Sequence, residues 1–209
     1  IKSSAASDVY KRQVLGRLTK ETSEERTTSY TYDANGNRIT SAIEHTTGDQ
    51  VKTALGSIDN ILSHSINYSY DQANRLKKVT ESLESGASET SAYEGLLEIA
   101  EEYQYDGNGN LKTKAKSYMA SAEPSEEEAY TLGEDREKNS YVYEFDELNR
   151  MEKIYRGDGK WAEYSYDGTS ARVGKTVGTA ASTETETTKY YNMGATVLTV
   201  SYTHLRAHE

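Results

Sequence analysis

Tyr30-Thr31-Tyr32-Asp33-Ala34-Asn35-Gly36-Asn37-Arg38-Ile39 decides the fold, because the chain repeats it. Further copies are Tyr68-Ser69-Tyr70-Asp71-Gln72-Ala73-Asn74-Arg75-Leu76, Tyr103-Gln104-Tyr105-Asp106-Gly107-Asn108-Gly109-Asn110-Leu111, Tyr143-Glu144-Phe145-Asp146-Glu147-Leu148-Asn149-Arg150-Met151 and Tyr164-Ser165-Tyr166-Asp167-Gly168-Thr169-Ser170-Ala171-Arg172-Val173. The aspartates are separated by 38, 35, 40 and 21 residues. Residues two apart on a strand share a face, so Tyr30 and Tyr32 point the same way, as do Tyr68 and Tyr70. The aspartate side chain hydrogen-bonds the backbone two residues on and starts a turn. Three residues after it stands Gly36, Asn74, Gly109, Asn149 or Ser170, and Gly and Asn tolerate positive φ. Each copy therefore reads as an incoming strand, a tight turn and an outgoing strand. Turns are predicted at 34–36, 72–74, 107–109, 147–149 and 168–170.

Outward from the motif, the intervals read as outgoing and returning strands joined by variable connections. The strand after Arg75 runs to about Leu83, a polar loop spans Glu84 to Ser91, and a return strand starts near Leu97. Leu96 to Glu102 suits a helical turn as well as a strand. Met151 to Tyr155 returns through a Gly157-Asp158-Gly159 turn to Trp161. The acidic stretch Glu123 to Glu128 and the Thr/Glu/Ser run Ala180 to Thr188 read as solvated loops. The fold class is all-β: an antiparallel hairpin meander with Asp-led turns on one edge and variable loops on the other.

Composition agrees. Hydrophobic residues are 34% of the chain, so an aliphatic core is thin, and 18 Tyr stand against one Phe and one Trp. Tyrosine favours strands and buries its ring with the hydroxyl on a polar partner. A net charge of −10 with no basic stripe argues against nucleic acid and anionic membranes as partners. No apolar run of about 18 residues is present, as a membrane-spanning helix requires. No stretch reads as a signal peptide. Cysteine is absent, which excludes disulfides and thiolate metal sites.

No residue set points to catalysis, a cofactor or a metal. Asp33, Asn35, Asn37 and Glu44 fall at positions 1, 3, 5 and 12 of a calcium loop, but Arg38 takes the glycine position. In the sister copy at Asp106, position 12 is Ser117. A turn explains all five copies. His45 and His64 are isolated in the sequence, and His204 and His208 form a His-x-x-x-His spacing without a Glu partner. Nucleophile elbows, phosphate-binding glycine loops and thiols are all missing.

The copies resemble the YD repeat of the rearrangement-hotspot (Rhs) family, the wall-associated proteins, the insecticidal toxin-complex C proteins and the teneurins. That pattern is Tyr-x-Tyr-Asp, two variable residues, Gly or Asn, Arg, then Leu. Asn74-Arg75-Leu76 matches its second half, Asn149-Arg150-Met151 comes close, and Gly36-Asn37-Arg38-Ile39 is a common variant. Gly109-Asn110-Leu111 has Asn for Arg, and Ser170-Ala171-Arg172-Val173 is the weakest copy. The resemblance covers 14–198. It implies a structural role for Tyr30, Tyr32, Asp33, Gly36, Tyr68, Tyr70, Asp71, Asn74, Arg75, Tyr103, Tyr105, Asp106, Gly109, Tyr143, Phe145, Asp146, Asn149, Arg150, Tyr164, Tyr166 and Asp167. It further implies an open segment of a larger β-shell, secreted or at the cell surface, enclosing a C-terminal, often toxic, domain. The partners would be the rest of the same chain, namely further repeats, a C-terminal core and the enclosed domain. The competing reading is a surface module whose tyrosine rows stack on glycans.

Leu15-Gly16-Arg17-Leu18 is the second half of one more copy, whose Tyr-Asp is expected at 12 and 13, where Arg12 and Gln13 stand. The segments 3–13 and 200–209 resemble translated sequencing-adapter read-through. The expected organisation is a non-native tail at 1–13, the repeat array at 14–198 and a second such tail at 199–209, with both tails packing poorly.

Overall fold

A computed structural model describes residues 9–13, 16–45, 51–53, 56–58, 60–86, 95–121, 125–193 and 196–205. Among them the strands are β1 Val9–Arg12, β2 Leu18–Thr22, β3 Arg26–Tyr32, β4 Arg38–His45, β5 Val51–Thr53, β6 Gly56–Ile58, β7 Ile61–Tyr70, β8 Leu76–Ser85, β9 Gly95–Tyr105, β10 Leu111–Ala120, β11 Tyr141–Phe145, β12 Met151–Arg156, β13 Lys160–Tyr166, β14 Arg172–Thr179, β15 Thr185–Met193 and β16 Thr196–Leu205. One helix, α1 Glu126–Lys138, lies between β10 and β11. The chain forms two compact units, Ile1–Glu102 with Lys116–Asp135, and Tyr103–Ala115 with Arg136–Glu209. Hydrogen-bonded strand order follows chain order, β1-β2-β3-β4-β7-β8-β9-β10 in the first and β9-β10-β11-β12-β13-β14-β15-β16 in the second. β5 and β6 form a separate hairpin. This is the antiparallel meander that the motif spacing requires, and all five predicted turns lie where expected.

Burial follows the period of two. In β11 and in the last part of β3, β7, β9 and β13, half-buried aromatic residues alternate with exposed ones. The aliphatic core is small. In the first unit Ile58, Leu83 and Leu97 are fully buried. Ile58, carried by the β5/β6 hairpin inserted between β4 and β7, packs on Leu97 with Ile61, Ile99, Tyr118 and Ala120 around it. In the second unit Ala162 is buried, and Trp161 lies across Gly178 so closely that a Cβ there would come 2.6 Å from its ring.

Two expectations are corrected. The acidic stretch read as a solvated loop enters α1. Ser125 accepts the first helical N–H, Ala129 N to Ser125 O at 2.8 Å, and Glu126 and Glu127 begin the helix while Arg136 and Lys138 end it. That charge order complements the helix dipole, and Glu, Ala, Leu, Arg and Lys are good helix formers. Residues 123 and 124 lie outside the described set. The Thr/Glu/Ser run is a loop only to Glu184. From Thr185 it is strand, since β-branched threonine suits a pleated surface, and Thr188 is buried. The return strand expected from about Leu97 is present: Leu96 to Glu102 is strand, paired with β8 from Ser85↔Gly95 to Lys78↔Glu102, and not a helical turn.

The sheet also runs past 13 and 198. β1 pairs with β2 from Val9↔Thr22 to Arg12↔Leu18, and β16 pairs with β15 from Met193↔Thr196 to Thr185↔Leu205. Tyr10 and Tyr202, on these outermost strands, stay more than half exposed.

Candidate functional site

In each unit the side chains that the sequence singles out gather at the tight turns and on the strand ends that lead into them. Each turn is closed by the same backbone pair. Asp33 N donates to Asn37 O at 2.9 Å and Gly36 N to Asp33 O at 3.1 Å, and the same two bonds recur at Asp71, Asp106, Asp146 and Asp167. The residue three beyond the aspartate has positive φ in every copy: Gly36 93°, Asn74 59°, Gly109 92°, Asn149 60° and Ser170 67°. The preceding strand is bulged in the four copies Tyr32↔Arg38, Tyr70↔Leu76, Phe145↔Met151 and Tyr166↔Arg172. Such a loop needs a left-handed residue at that slot.

The aspartates hold the turns. Asp71 accepts from Ala73 N, Arg75 N and Arg75 Nε at 2.9, 2.9 and 2.7 Å, and Asp146 repeats this with Leu148 N, Arg150 N and Arg150 Nε. In the two Gly-bearing copies an asparagine takes the arginine's seat. Asn37 Nδ2 reaches Asp33 Oδ2 and Asn110 Nδ2 reaches Asp106 Oδ2, both at 2.9 Å. Asp167 accepts from Thr169 N, Thr169 Oγ1 and Ala171 N. Every motif carboxyl is held below its ordinary value. The main cause is the side-chain amide for Asp33 and Asp106, the arginine's backbone N–H for Asp71 and Asp146, and the Thr169 hydroxyl for Asp167. With Asn37 presenting its amide hydrogens to Asp33, and Glu44 out on β4 opposite Thr27, the calcium-loop positions do not converge. His208 lies outside the described residues.

Two further sets of bonds join one hairpin to the next. The first uses the tyrosine just before the aspartate. Tyr32 Oη donates to Leu18 O at 2.5 Å, Tyr70 Oη to Arg38 O at 2.9 Å and Tyr166 Oη to Met151 O at 2.7 Å. In each case the acceptor opens the outgoing strand of the neighbouring hairpin. The second set runs between turns. Asn35 Nδ2 and Asn37 Nδ2 both donate to Asn74 Oδ1, at 2.9 and 3.0 Å, and Asn108 and Asn110 do the same to Asn149 Oδ1 at 2.9 Å. Arg150 Nη1 reaches Asp167 O at 3.3 Å.

Arginines cover the rings. Arg38 lies 4.2 Å from the centroid of Tyr30 and Arg172 4.3 Å from Tyr164, each within its own hairpin. Arg17 over Tyr32 and Arg150 over Tyr166, at 5.3 and 4.7 Å, reach across to the next. Lys114 sits 5.9 Å from Tyr103, and Tyr143 stacks on Tyr141 with centroids 6.0 Å apart. Tyr30 and Tyr143 have raised hydroxyl pKa values because burial disfavours the phenolate. Tyr68 lines a groove with Ile66, Val79 and Ile99, while Tyr105 ends β9 and Phe145 ends β11. Neighbouring hairpins thus meet through the hydroxyls of Tyr32, Tyr70 and Tyr166 and through the guanidinium groups over Tyr32 and Tyr166.

The partial copy at the start has the same geometry. Gln13 N donates to Arg17 O and Gly16 N to Gln13 O, both at 2.8 Å, and Gly16 has φ 77°. Arg17 Nε donates to Gln13 Oε1 at 3.0 Å, so Gln13 occupies the aspartate's seat.

These features define a hairpin-repeat array in which neighbouring hairpins are joined through tyrosine hydroxyls and turn side chains. The family model for the RHS Repeat matches residues 14–50. The tRNA nuclease WapA of Bacillus subtilis (strain 168) is 30% identical over 161 residues, covering 76% of this chain and 5% of WapA. A crystal structure of TcdB2-TccC3 superposes with a TM-score of 0.55 at 14% identity, over 94% of this chain and 9% of that one. This likeness carries the fold alone. The chain belongs to the YD-repeat, or Rhs-repeat, family. It spans about a twentieth of the length of the curated relative it matches.

Proposed function

We propose that this segment is structural: a stretch of wall in a large secreted or cell-surface Rhs-type protein, whose β-shell encloses a C-terminal, often toxic, domain. The observation that carries the reading is the use to which the motif is put. Tyr32, Tyr70 and Tyr166 hold the neighbouring hairpin, and all five motif aspartates hold their own turns. Groups committed in this way are not available as nucleophiles or general acids, and the segment is assigned no catalytic role, cofactor or metal. Its partners are then the remaining repeats, the C-terminal core and the enclosed domain of its own chain.

Two measurements test the proposal. The surrounding reading frame should contain further Tyr-x-Tyr-Asp copies and a variable C-terminal domain; flanks without either would remove the shell reading. Tyr70→Ala should raise hydrogen exchange in β4 and β7, with no glycan retained by the wild-type chain on an array. Unchanged exchange together with a glycan bound by the wild type and lost in the variant would replace the wall with a carbohydrate-binding surface.

A further inference from the structure

His45 and His64 stand on either side of the insertion that carries the β5/β6 hairpin, and the fold brings them together. His45 Nε2 lies 2.7 Å from His64 Nδ1, with the rings nearly coplanar at 7°. On its other side, His64 Nε2 lies 2.8 Å from Glu81 Oε1 of β8. His64 is buried, 8% exposed. An ionised carboxylate only accepts, so with neutral rings the chain has one direction: His64 Nε2–H donates to Glu81 and His45 Nε2–H donates to His64 Nδ1.

We propose that this chain is a proton-operated clasp at the neck of the insertion, tying β4, β7 and β8 together and opening on double protonation. One added proton is accommodated, because Glu81 balances an imidazolium at His64 and that ion donates to a neutral His45. A second proton makes both facing nitrogens donors at 2.7 Å. The contact then has no acceptor, and two like charges face each other in a half-buried site.

The surroundings set the balance. Arg26 of β3 pairs directly with His45 and adds a third positive charge to the doubly protonated state. On the same face, Glu81 lines an open groove with Lys52 from the insertion, Glu101 of β9 and Lys116 of β10. Glu44, Glu84 and Glu98 alternate to the other face. Next along this face are Ile43 and Leu83, both opposite His64, and Leu97 beyond, against which Ile58 of the insertion is seated. Opening the clasp therefore loosens the strands on which the insertion rests.

Histidine side-chain nitrogen NMR on the wild-type chain reads the clasp without any mutation. At pH 7.5 both rings should be fixed as Nε2–H tautomers, and rapidly averaging tautomers would overturn the proposal. Hydrogen exchange then reads the opening. His45→Gln keeps a neutral amide donor towards His64 and cannot be protonated. At pH 7.5 exchange across 41–45 and 61–66 should match in the two proteins. At pH 5 it should be at least tenfold faster in the wild type than in the variant. Equal rates at pH 5 would overturn the clasp. Glu81→Gln removes the balancing charge and should move the opening to higher pH; an unmoved transition would likewise count against it.

Discussion

Tyr70→Phe isolates the link between hairpins. The substitution keeps the ring, its half-buried position and the strand, and removes one O–H···O=C bond of 2.9 Å to Arg38. Such a bond contributes about 1 kcal/mol, and the site is wet enough for water to recover part of the lost acceptor. About 1 kcal/mol is roughly a fivefold change in a local opening constant. In a repeat array each unit leans mainly on its neighbours, so the change should concentrate in β4 and β7. Tyr166→Phe should act alike on β12 and β13. The converse is available at Phe145, which holds the same seat without a hydroxyl. Extending the register from Thr113↔Val142 sets Leu111 opposite Glu144, one residue before Phe145. Leu18 stands in the same relation to Tyr32, so Phe145→Tyr should place a hydroxyl at the Leu111 carbonyl and slow local exchange about fivefold. Native-state hydrogen exchange at fixed pH and temperature measures all three. If the two removals change exchange by less than twofold and Phe145→Tyr slows nothing, the hydroxyl ladder is not what joins the hairpins.

The remaining predictions concern the turns and the second unit. The motif carboxyls are depressed in the folded state, and Asp158 is brought to about 2, chiefly by its hydrogen bonds from Arg156. Their contribution to stability is therefore present above the ordinary carboxylate value and is lost as pH falls through the depressed one. The urea midpoint should decline from about pH 4 towards 2, and Asp146→Asn should flatten part of that slope. Gln13→Asp should stabilise the β1/β2 hairpin by about 1 kcal/mol, read as slower exchange in β2, by giving Arg17 a charged acceptor. Gly178→Ala should cost about 1–3 kcal/mol in thermal unfolding and shift Trp161 fluorescence, whereas Gly168→Ala, whose Cβ meets nothing within 4 Å, should cost far less.

The tight edge was legible in the sequence because its chemistry is local. Five aspartates followed by Gly, Asn or Ser three residues on leave the chain little choice of turn, and the two-residue spacing of aromatics sets the face. What was not legible depends on register between segments far apart in the chain. Asn37 and Asn110 take the seat that Arg75 and Arg150 hold elsewhere, so aligning copies by their arginines puts Arg38 one place out of step. The structure gives Arg38 a different task, covering Tyr30. His45 and His64 look isolated until pairing of β4 with β7 across the insertion is known. An acidic run with few apolar residues resembles a solvated loop, and among the helix residues whose burial is described only Leu132 is buried, so α1 leaves little trace in the sequence. Its signals were the Ser125 cap and the basic last turn.

The edge opposite the tight turns has a use in engineering. Turns 40 and 21 residues apart in sequence meet their neighbours through the same slots, Asn110 to Asn149 and Arg150 to Ser170. Length is absorbed on the other side, by a connection that holds a helix of 13 residues in one interval and by only Gly157-Asp158-Gly159 in the next. The connection Ala180–Glu184 between β14 and β15 is exposed throughout, and lengthening a flexible loop costs only about 0.6 kcal/mol for each doubling. A foreign peptide spliced between Ser182 and Thr183 would be displayed from β14 and β15 without disturbing the register of any hairpin, which makes this array a natural graft scaffold.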